Sequence, residues 1–64
     1  MKLYAIIRIH YTGDITMSEL FEYLDSNDYT YHYIQDKNML VVSESQVMYV
    51  DTKLKENNAI YEYM

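Results

Sequence analysis

The absence of cysteine from a chain of only 64 residues is the feature that most limits how this sequence can fold. A domain of this size buries only about 60% of the surface that its unfolded chain exposes, so very small folds often depend on disulfides or metals. Without a thiol, neither a disulfide nor a thiolate metal site can form. The fold must depend on one modest apolar core, for which half of the residues are hydrophobic. We therefore expect a single domain over residues 1–64.

The sequence offers no candidate for a membrane anchor or a secretion signal. No apolar segment approaches the roughly 18 residues that a membrane-spanning helix needs. Near the start, Lys2, Arg8 and His10 interrupt the apolar residues, and no small-residue cleavage site follows them. These features predict a cytoplasmic protein.

The negative charge is concentrated in one part of the chain. Ten acidic side chains and five basic ones give a net charge of −5. Between Ile9 and Lys37 there is no lysine or arginine, but there are six acids. They are Asp14, Glu19, Glu22, Asp25, Asp28 and Asp36. Such a cluster repels nucleic acid and attracts basic surfaces, so we expect a protein partner with a basic groove, and neither nucleic acid nor a membrane.

The first half of the chain predicts one strand and one helix. From Lys2 to Tyr11, apolar residues alternate onto one face, which is typical of a strand. After a turn at residues 12–14, Thr16 and Glu19 match the Thr-x-x-Glu capping box that begins a helix. The apolar face of this helix consists of Met17, Leu20, Phe21 and Leu24. The helix is expected to end at residues 26–28.

The second half predicts four further strands. They span residues 29–34, 39–42, 47–52 and 59–63, with turns at 36–38, 43–46 and 56–58. The predicted order is β-α-β-β-β-β, an α+β fold in which an antiparallel sheet of about five strands carries one helix on one face. The alternation of Tyr29, Tyr31 and Tyr33 predicts that the other face is tyrosine-rich and partly exposed, and such a surface favours binding of a partner.

No pattern of residues predicts catalysis, and we expect no enzyme. Nucleophilic catalysis needs an activated side chain beside an oriented base, but His10 and His32 lie within predicted strands without a triad signature. The two histidines also lack compact metal-ligand spacing. A phosphate-binding loop needs several glycines, and the chain has only Gly13. We therefore predict no catalytic residue, metal or cofactor.

A row of carboxylates on the predicted helix suggests an imitation of DNA. Glu19, Glu22 and Asp25 follow one another at intervals of three, which brings side chains within about 5–6 Å at Cβ, and Asp14 and Asp28 extend the row. Phosphates along a DNA strand are spaced on a similar scale. A solvated helix face is the alternative, although such a face normally mixes charges of both signs. Asp25 also lies near the helix C-terminus, where the helix dipole disfavours negative charge.

The segment from Glu44 to Met48 resembles part of the phage-type uracil-DNA glycosylase inhibitors. In that family a Glu-Ser pair opens an edge strand that enters the DNA-binding groove of the enzyme, a methionine follows three residues after the serine, and a long helix comes next. The resemblance implies that Glu44 replaces a phosphate and that Ser45 supports it by hydrogen bonding. It also implies that Met48 lines an apolar pocket for the enzyme side chain that wedges into DNA during base flipping. Here the helix is predicted to precede the pair and a strand to follow it.

The leading prediction is a DNA-mimicking inhibitor of uracil-DNA glycosylase. Its expected contact residues are Glu44, Ser45, Gln46, Met48, Glu19, Glu22, Asp25 and Asp28. The apolar helix face with Val41 is either a groove between helix and sheet or ordinary core. Two alternatives remain open. One is a small acidic phage inhibitor of another nucleic-acid enzyme, such as a restriction or CRISPR effector, and the other is a structural module that pairs with its own copies through strand edges and tyrosine faces. The protein is expected to be a monomer or a small homo-oligomer.

Overall fold

Four strands and two α-helices make up the fold in the computed structural model, which describes residues 3–64. Their order is β1 Tyr4–Tyr11, α1 Met17–Ser26, β2 Tyr31–Ile34, β3 Met39–Ser43, α2 Val47–Glu56 and β4 Ile60–Tyr63. Short 3-10 turns at Gln35–Lys37 and Glu44–Gln46 follow β2 and β3. Neither α-helix in this part of the chain is long and apolar enough to cross a bilayer.

The strands form one antiparallel sheet in the order β2-β3-β1-β4. Strand β3 lies between β1 and β2, which α1 connects, and β1 lies between β3 and β4, which α2 connects. The chain therefore contains two interlocked split β-α-β units, the arrangement called ferredoxin-like. Strands β2 and β4 are the edges of the sheet.

Both helices pack against the same face of the sheet. The sheet supplies Ile7, Ile9, Leu40 and Val42 to the core, and the helices supply Leu20, Leu24, Val50 and Leu54. All eight side chains are at most 4% exposed. Burying one such side chain stabilises the fold by roughly 1.5–3 kcal/mol, so this layer is the main source of stability in a chain without crosslinks.

The start of α1 agrees closely with its prediction. The Thr16 hydroxyl accepts a hydrogen bond from the Glu19 N–H at 3.1 Å, and the Glu19 carboxylate accepts one from the Thr16 N–H at 3.0 Å. This reciprocal capping box satisfies two N–H groups that a helix start leaves without partners. The α+β class and the antiparallel sheet are likewise confirmed.

The strand predicted at residues 47–52 is wrong, because that segment forms most of α2. Its valines and tyrosine have high strand propensity, but Val47, Val50 and Leu54 recur at helical spacing, and Val50 and Leu54 are fully buried against the sheet. Packing of this face outweighs local propensity, which is a weak determinant. The predicted five strands and one helix are thus four strands and two helices.

The predicted tyrosine-rich open face is also wrong. Tyr31 and Tyr33 stand opposite Val42 and Leu40 in the sheet, so they point toward the helices. On β4, Tyr61 and Tyr63 stand opposite Ile9 and Ile7 and point the same way. Strand β2 also begins two residues later than the predicted Tyr29. The predicted start of the first strand, Lys2, lies outside the described residues.

We predict that Gly13→Ala destabilises the protein by about 2 kcal/mol or more, since both its conformation and its surroundings demand glycine. Gly13 has a φ of 77°, and an added Cβ would lie 1.8 Å from the backbone oxygen of Asn57. That oxygen accepts the Asp14 N–H at 2.7 Å, a bond that joins the β1–α1 turn to the end of α2. Urea unfolding of the variant measures the loss.

The matched control is Asp28→Gly, which removes a Cβ from another left-handed residue, at φ 56°. We expect a change in unfolding free energy of at most about 1 kcal/mol there. Equal losses in the two variants would contradict the role assigned to Gly13.

Candidate functional site

Three exposed carboxylates on α1 and one in the turn just after it form a surface that we call the acidic helix surface. They belong to Glu19, Glu22, Asp25 and Asp28. Within residues 3–64 the contacts shorter than 4 Å between a basic and an acidic side chain are His10–Glu62 and Lys55–Asp51. None of the four carboxylates therefore has a cationic partner in the described chain.

Two members of the acidic helix surface also stabilise the fold. Glu19 belongs to the capping box, and Asp25 accepts a hydrogen bond from the Tyr31 hydroxyl at 3.0 Å. Burial, followed by this bond, raises the pKa of Tyr31 above its ordinary value. The contact also compensates Asp25 for its unfavourable place near the helix C-terminus. Because the donors are a neutral N–H and a neutral hydroxyl, neither contact neutralises a carboxylate charge.

The Glu44-Ser45 pair does not open an edge strand, contrary to what the resemblance implies. It lies in the 3-10 turn after β3, which is paired on both sides. The Glu44 N–H donates to the Leu3 carbonyl at 3.1 Å. The Ser45 hydroxyl bonds the Ser43 hydroxyl at 3.0 Å. Both residues are exposed. A helix follows them, as in the inhibitor family, in place of the strand predicted at residues 47–52.

The start of α2 lies beside the loop that follows α1. Gln46 accepts the Thr30 N–H through its side-chain oxygen at 3.2 Å, and the rings of Tyr29 and Tyr49 stack with centroids 5.9 Å apart. Asp28 precedes Tyr29 in the chain. The structure therefore brings the predicted residue Gln46 close to the Asp28 end of the acidic helix surface.

The proposed apolar groove is wrong, because its members lie on opposite sides of the sheet. Leu20 and Leu24 are fully buried in the core, whereas Val41 alternates with the core residues Leu40 and Val42 and points away from the helices. Met48 is 72% exposed on α2. Met48 is therefore accessible to a partner. It does not form one pocket with the buried residues Leu20 and Leu24 of α1.

A polar cluster that the sequence did not predict joins α2 to β4. One oxygen of Asp51 accepts hydrogen bonds from the hydroxyls of Tyr61 and Tyr63, at 2.7 and 2.6 Å. Its other oxygen lies 3.2 Å from the Lys55 ammonium. The incorrect strand at residues 47–52 concealed this cluster, because only a helix places Asp51 and Lys55 one turn apart.

The protonation states of this cluster fit a structural role. Hydrogen bonds from Tyr63 and Tyr61 hold the pKa of Asp51 below its ordinary value, against the opposing effect of burial. Burial and the bond to Asp51 raise the pKa of Tyr61 to about 12 and raise the pKa of Tyr63 as well. At neutral pH an ionised carboxylate therefore binds two neutral phenols, which are poorly suited to transfer protons.

The two histidines do not form a joint site. His10 Nε2 lies 2.6 Å from the Glu62 carboxylate, on β1 and β4. His32 lies on β2 opposite Val41, at the other edge of the sheet. Within residues 3–64 no group of three or more His, Cys, Asp or Glu side chains is arranged to hold a metal ion. His10 and Glu62 form a local hydrogen-bonded pair on the surface.

No protein-family model, curated protein or solved structure matches the chain. The resemblance to uracil-DNA glycosylase inhibitors accordingly depends on residues 44–48.

We predict that Asp51→Ala lowers the free energy of unfolding at pH 7 by about 1–2 kcal/mol, because it removes a charged hydrogen-bond acceptor. The folded-state pKa of Asp51 is depressed, so its contribution is present above the unfolded pKa of about 3.9 and is lost as pH falls through the folded value. The difference between the two proteins should therefore shrink in acid. Urea unfolding at a series of pH values measures it.

The control is Asp36→Ala, which removes an exposed carboxylate in the turn after β2 and should change the free energy of unfolding at pH 7 by less than about 0.5 kcal/mol. An Asp51→Ala difference that stays constant from pH 7 to well below pH 3 would contradict the assignment of an ionised Asp51.

Proposed function

We propose that this chain is a non-catalytic inhibitor that occupies the basic groove of a nucleic-acid enzyme in place of DNA, with the acidic helix surface as its main contact. The observation that supports this proposal is the set of four exposed carboxylates on one helix and its end, without a cationic partner in the described chain. A solvated helix of an ordinary protein gains stability by mixing charges of opposite sign on such a face.

The dimensions of the acidic helix surface suit a groove that binds a phosphate backbone. Successive residues three apart advance about 4.5 Å along the helix axis, so Glu19 to Asp25 span about 9 Å. Phosphates of one DNA strand advance about 3.4 Å each along the duplex axis. The spacing of the carboxylates is comparable to that of the phosphates but not equal to it. Lysine and arginine side chains of the enzyme are flexible enough to bind either row. Charge of this kind accelerates association and makes it sensitive to salt.

Uracil-DNA glycosylase is the first target to test, because Glu44, Ser45 and Met48 match residues that the inhibitor family uses. All three are exposed, and Gln46 connects their turn to the loop after α1. Another nucleic-acid enzyme, such as a restriction or CRISPR effector, is the second candidate. The place of Glu44 after an interior strand favours α1 over Glu44 as the main contact with either target.

We predict that the triple variant Glu22→Gln, Asp25→Asn and Asp28→Asn inhibits its target enzyme at least about tenfold less strongly at low salt. Each change removes a charge and keeps the size of the side chain. Asparagine still accepts the Tyr31 hydrogen bond at position 25 and tolerates the left-handed backbone at position 28. Leaving Glu19 unchanged preserves the capping box. Inhibition of uracil excision by a bacterial uracil-DNA glycosylase, at increasing inhibitor concentration, measures the effect.

The control variant removes three charges outside the row of acids that runs from Asp14 to Asp28: Asp36→Asn, Glu56→Gln and Glu62→Gln. Its net charge equals that of the test variant, so a general charge effect would weaken both equally. Equal inhibition by the wild type and both variants would contradict the role of α1. If the wild type inhibits neither the glycosylase nor restriction and CRISPR nucleases at large excess, the proposed function is wrong.

Glu44→Ala tests the resemblance separately from the helix. If the glycosylase is the target and Glu44 replaces a phosphate, this substitution should weaken binding at least about tenfold, because a basic site then loses its charged partner. Isothermal titration calorimetry with the glycosylase gives the binding constant. Thr52→Ala on α2 is the control and should leave the binding constant unchanged. If Glu44→Ala also leaves the binding constant unchanged, Glu44 does not replace a phosphate.

A further inference from the structure

The face of the sheet away from the helices has an apolar centre. Ile6 and Val41 are neighbours in the sheet register, as are Met39 and Ile34. These four side chains alternate with the core residues and therefore point to the other side. They are partly exposed, and none belongs to the hydrophobic cluster under the helices. We call them the uncovered sheet face.

Charged groups on this face nearly balance, in contrast to the rest of the protein. Of the ten acidic residues, only Glu62 points from a strand into this face. Its carboxylate lies 2.6 Å from His10, and Arg8 is its direct partner in the β1–β4 register. For a chain of net charge −5, this is the side on which two copies can approach with the least repulsion.

We propose that the uncovered sheet face binds a second copy of this chain, forming a two-fold symmetric dimer with the sheets packed face to face. In such a dimer the same patch is used twice, and an apolar, nearly neutral patch is compatible with itself. Packed sheets lie about 10 Å apart, with mean strand directions within about 30°. The acidic helix surfaces then lie on the two outer sides, so the dimer does not depend on the proposed inhibitory function.

The size of the face predicts that this dimer is weak. The strands β1, β2, β3 and β4 have eight, four, five and four residues, so spacings of about 3.3 Å along a strand and about 4.8 Å between strands give a face of roughly 330 Å². Two copies bury roughly 700 Å² in total, less than the roughly 1,200 Å² at which stable complexes begin. We therefore expect a concentration-dependent equilibrium with a Kd of about 0.1–1 mM.

Sedimentation equilibrium of the full chain from about 5 μM to 1 mM tests the proposal. The wild type should change from monomer to dimer over this range. Val41→Lys should raise the dimer Kd about a hundredfold or more, because it buries an unpaired charge between the sheets. This substitution reduces the net negative charge, so greater overall repulsion cannot explain a loss of dimer.

Met48→Lys is the matched control, since it makes the same charge change on exposed α2. It should leave the dimer Kd within about threefold of the wild type. If circular dichroism shows that the Val41→Lys variant does not fold, Ile34→Lys on the edge strand β2 is the test variant instead. A wild type that stays monomeric at 1 mM, or a dimer that survives both substitutions on the face, would overturn the proposal.

Discussion

Burial of one face of the sheet under two helices is the interaction on which the rest of this structure depends. The chain has no cysteine for a crosslink, so eight buried aliphatic side chains between sheet and helices must provide most of its stability. Four come from β1 and β3, the two interior strands. The remaining contacts, including the capping box of α1 and the cluster around Asp51, fix the ends of elements that this core already holds together.

One-sided burial also separates the surfaces of the molecule by chemistry. The helices cover the aliphatic and tyrosine-bearing side of the sheet and carry the unpaired acids outward. The opposite side keeps an apolar centre with Ile6 and Val41, and the opposite charges of Arg8 and Glu62 lie beside each other there. A basic partner and a second copy of the chain would thus contact different sides. Binding at one need not obstruct the other.

Sequence patterns predicted the features that depend on local periodicity and failed where tertiary packing decides. The alternation in β1 and the Thr16–Glu19 capping box are local signals, and both were correct. Residues 47–52 combine strand propensity with helical spacing, and only the packing of Val50 and Leu54 against the sheet determines that they form α2. That error hid the Asp51 cluster, in which Tyr61 and Tyr63 donate hydrogen bonds to the Asp51 carboxylate.

The candidate site was predictable to a similar extent. Exposure of Glu19, Glu22 and Asp25 follows from helical periodicity, and Asp28 is exposed in the turn where the helix was expected to end, so the acidic helix surface was predictable from the sequence. The Tyr31 contact of Asp25 and the contact of Gln46 with Thr30 depend on pairing between distant segments, which no local pattern contains. The resemblance implied that Glu44 opens an edge strand. In the structure Glu44 follows the interior strand β3, and this position depends on the order of the strands in the sheet, which the sequence did not reveal.

The most direct test of the central claim is a nuclear magnetic resonance titration of the isotope-labelled chain with unlabelled bacterial uracil-DNA glycosylase. Amide chemical shifts report contacts residue by residue, which an inhibition assay cannot do. Binding through the acidic helix surface predicts that changes at a one-to-one ratio concentrate in residues 16–30 and in residues 44–48. Changes confined to the uncovered sheet face, or a spectrum that does not change at equimolar enzyme, would contradict the account for this target.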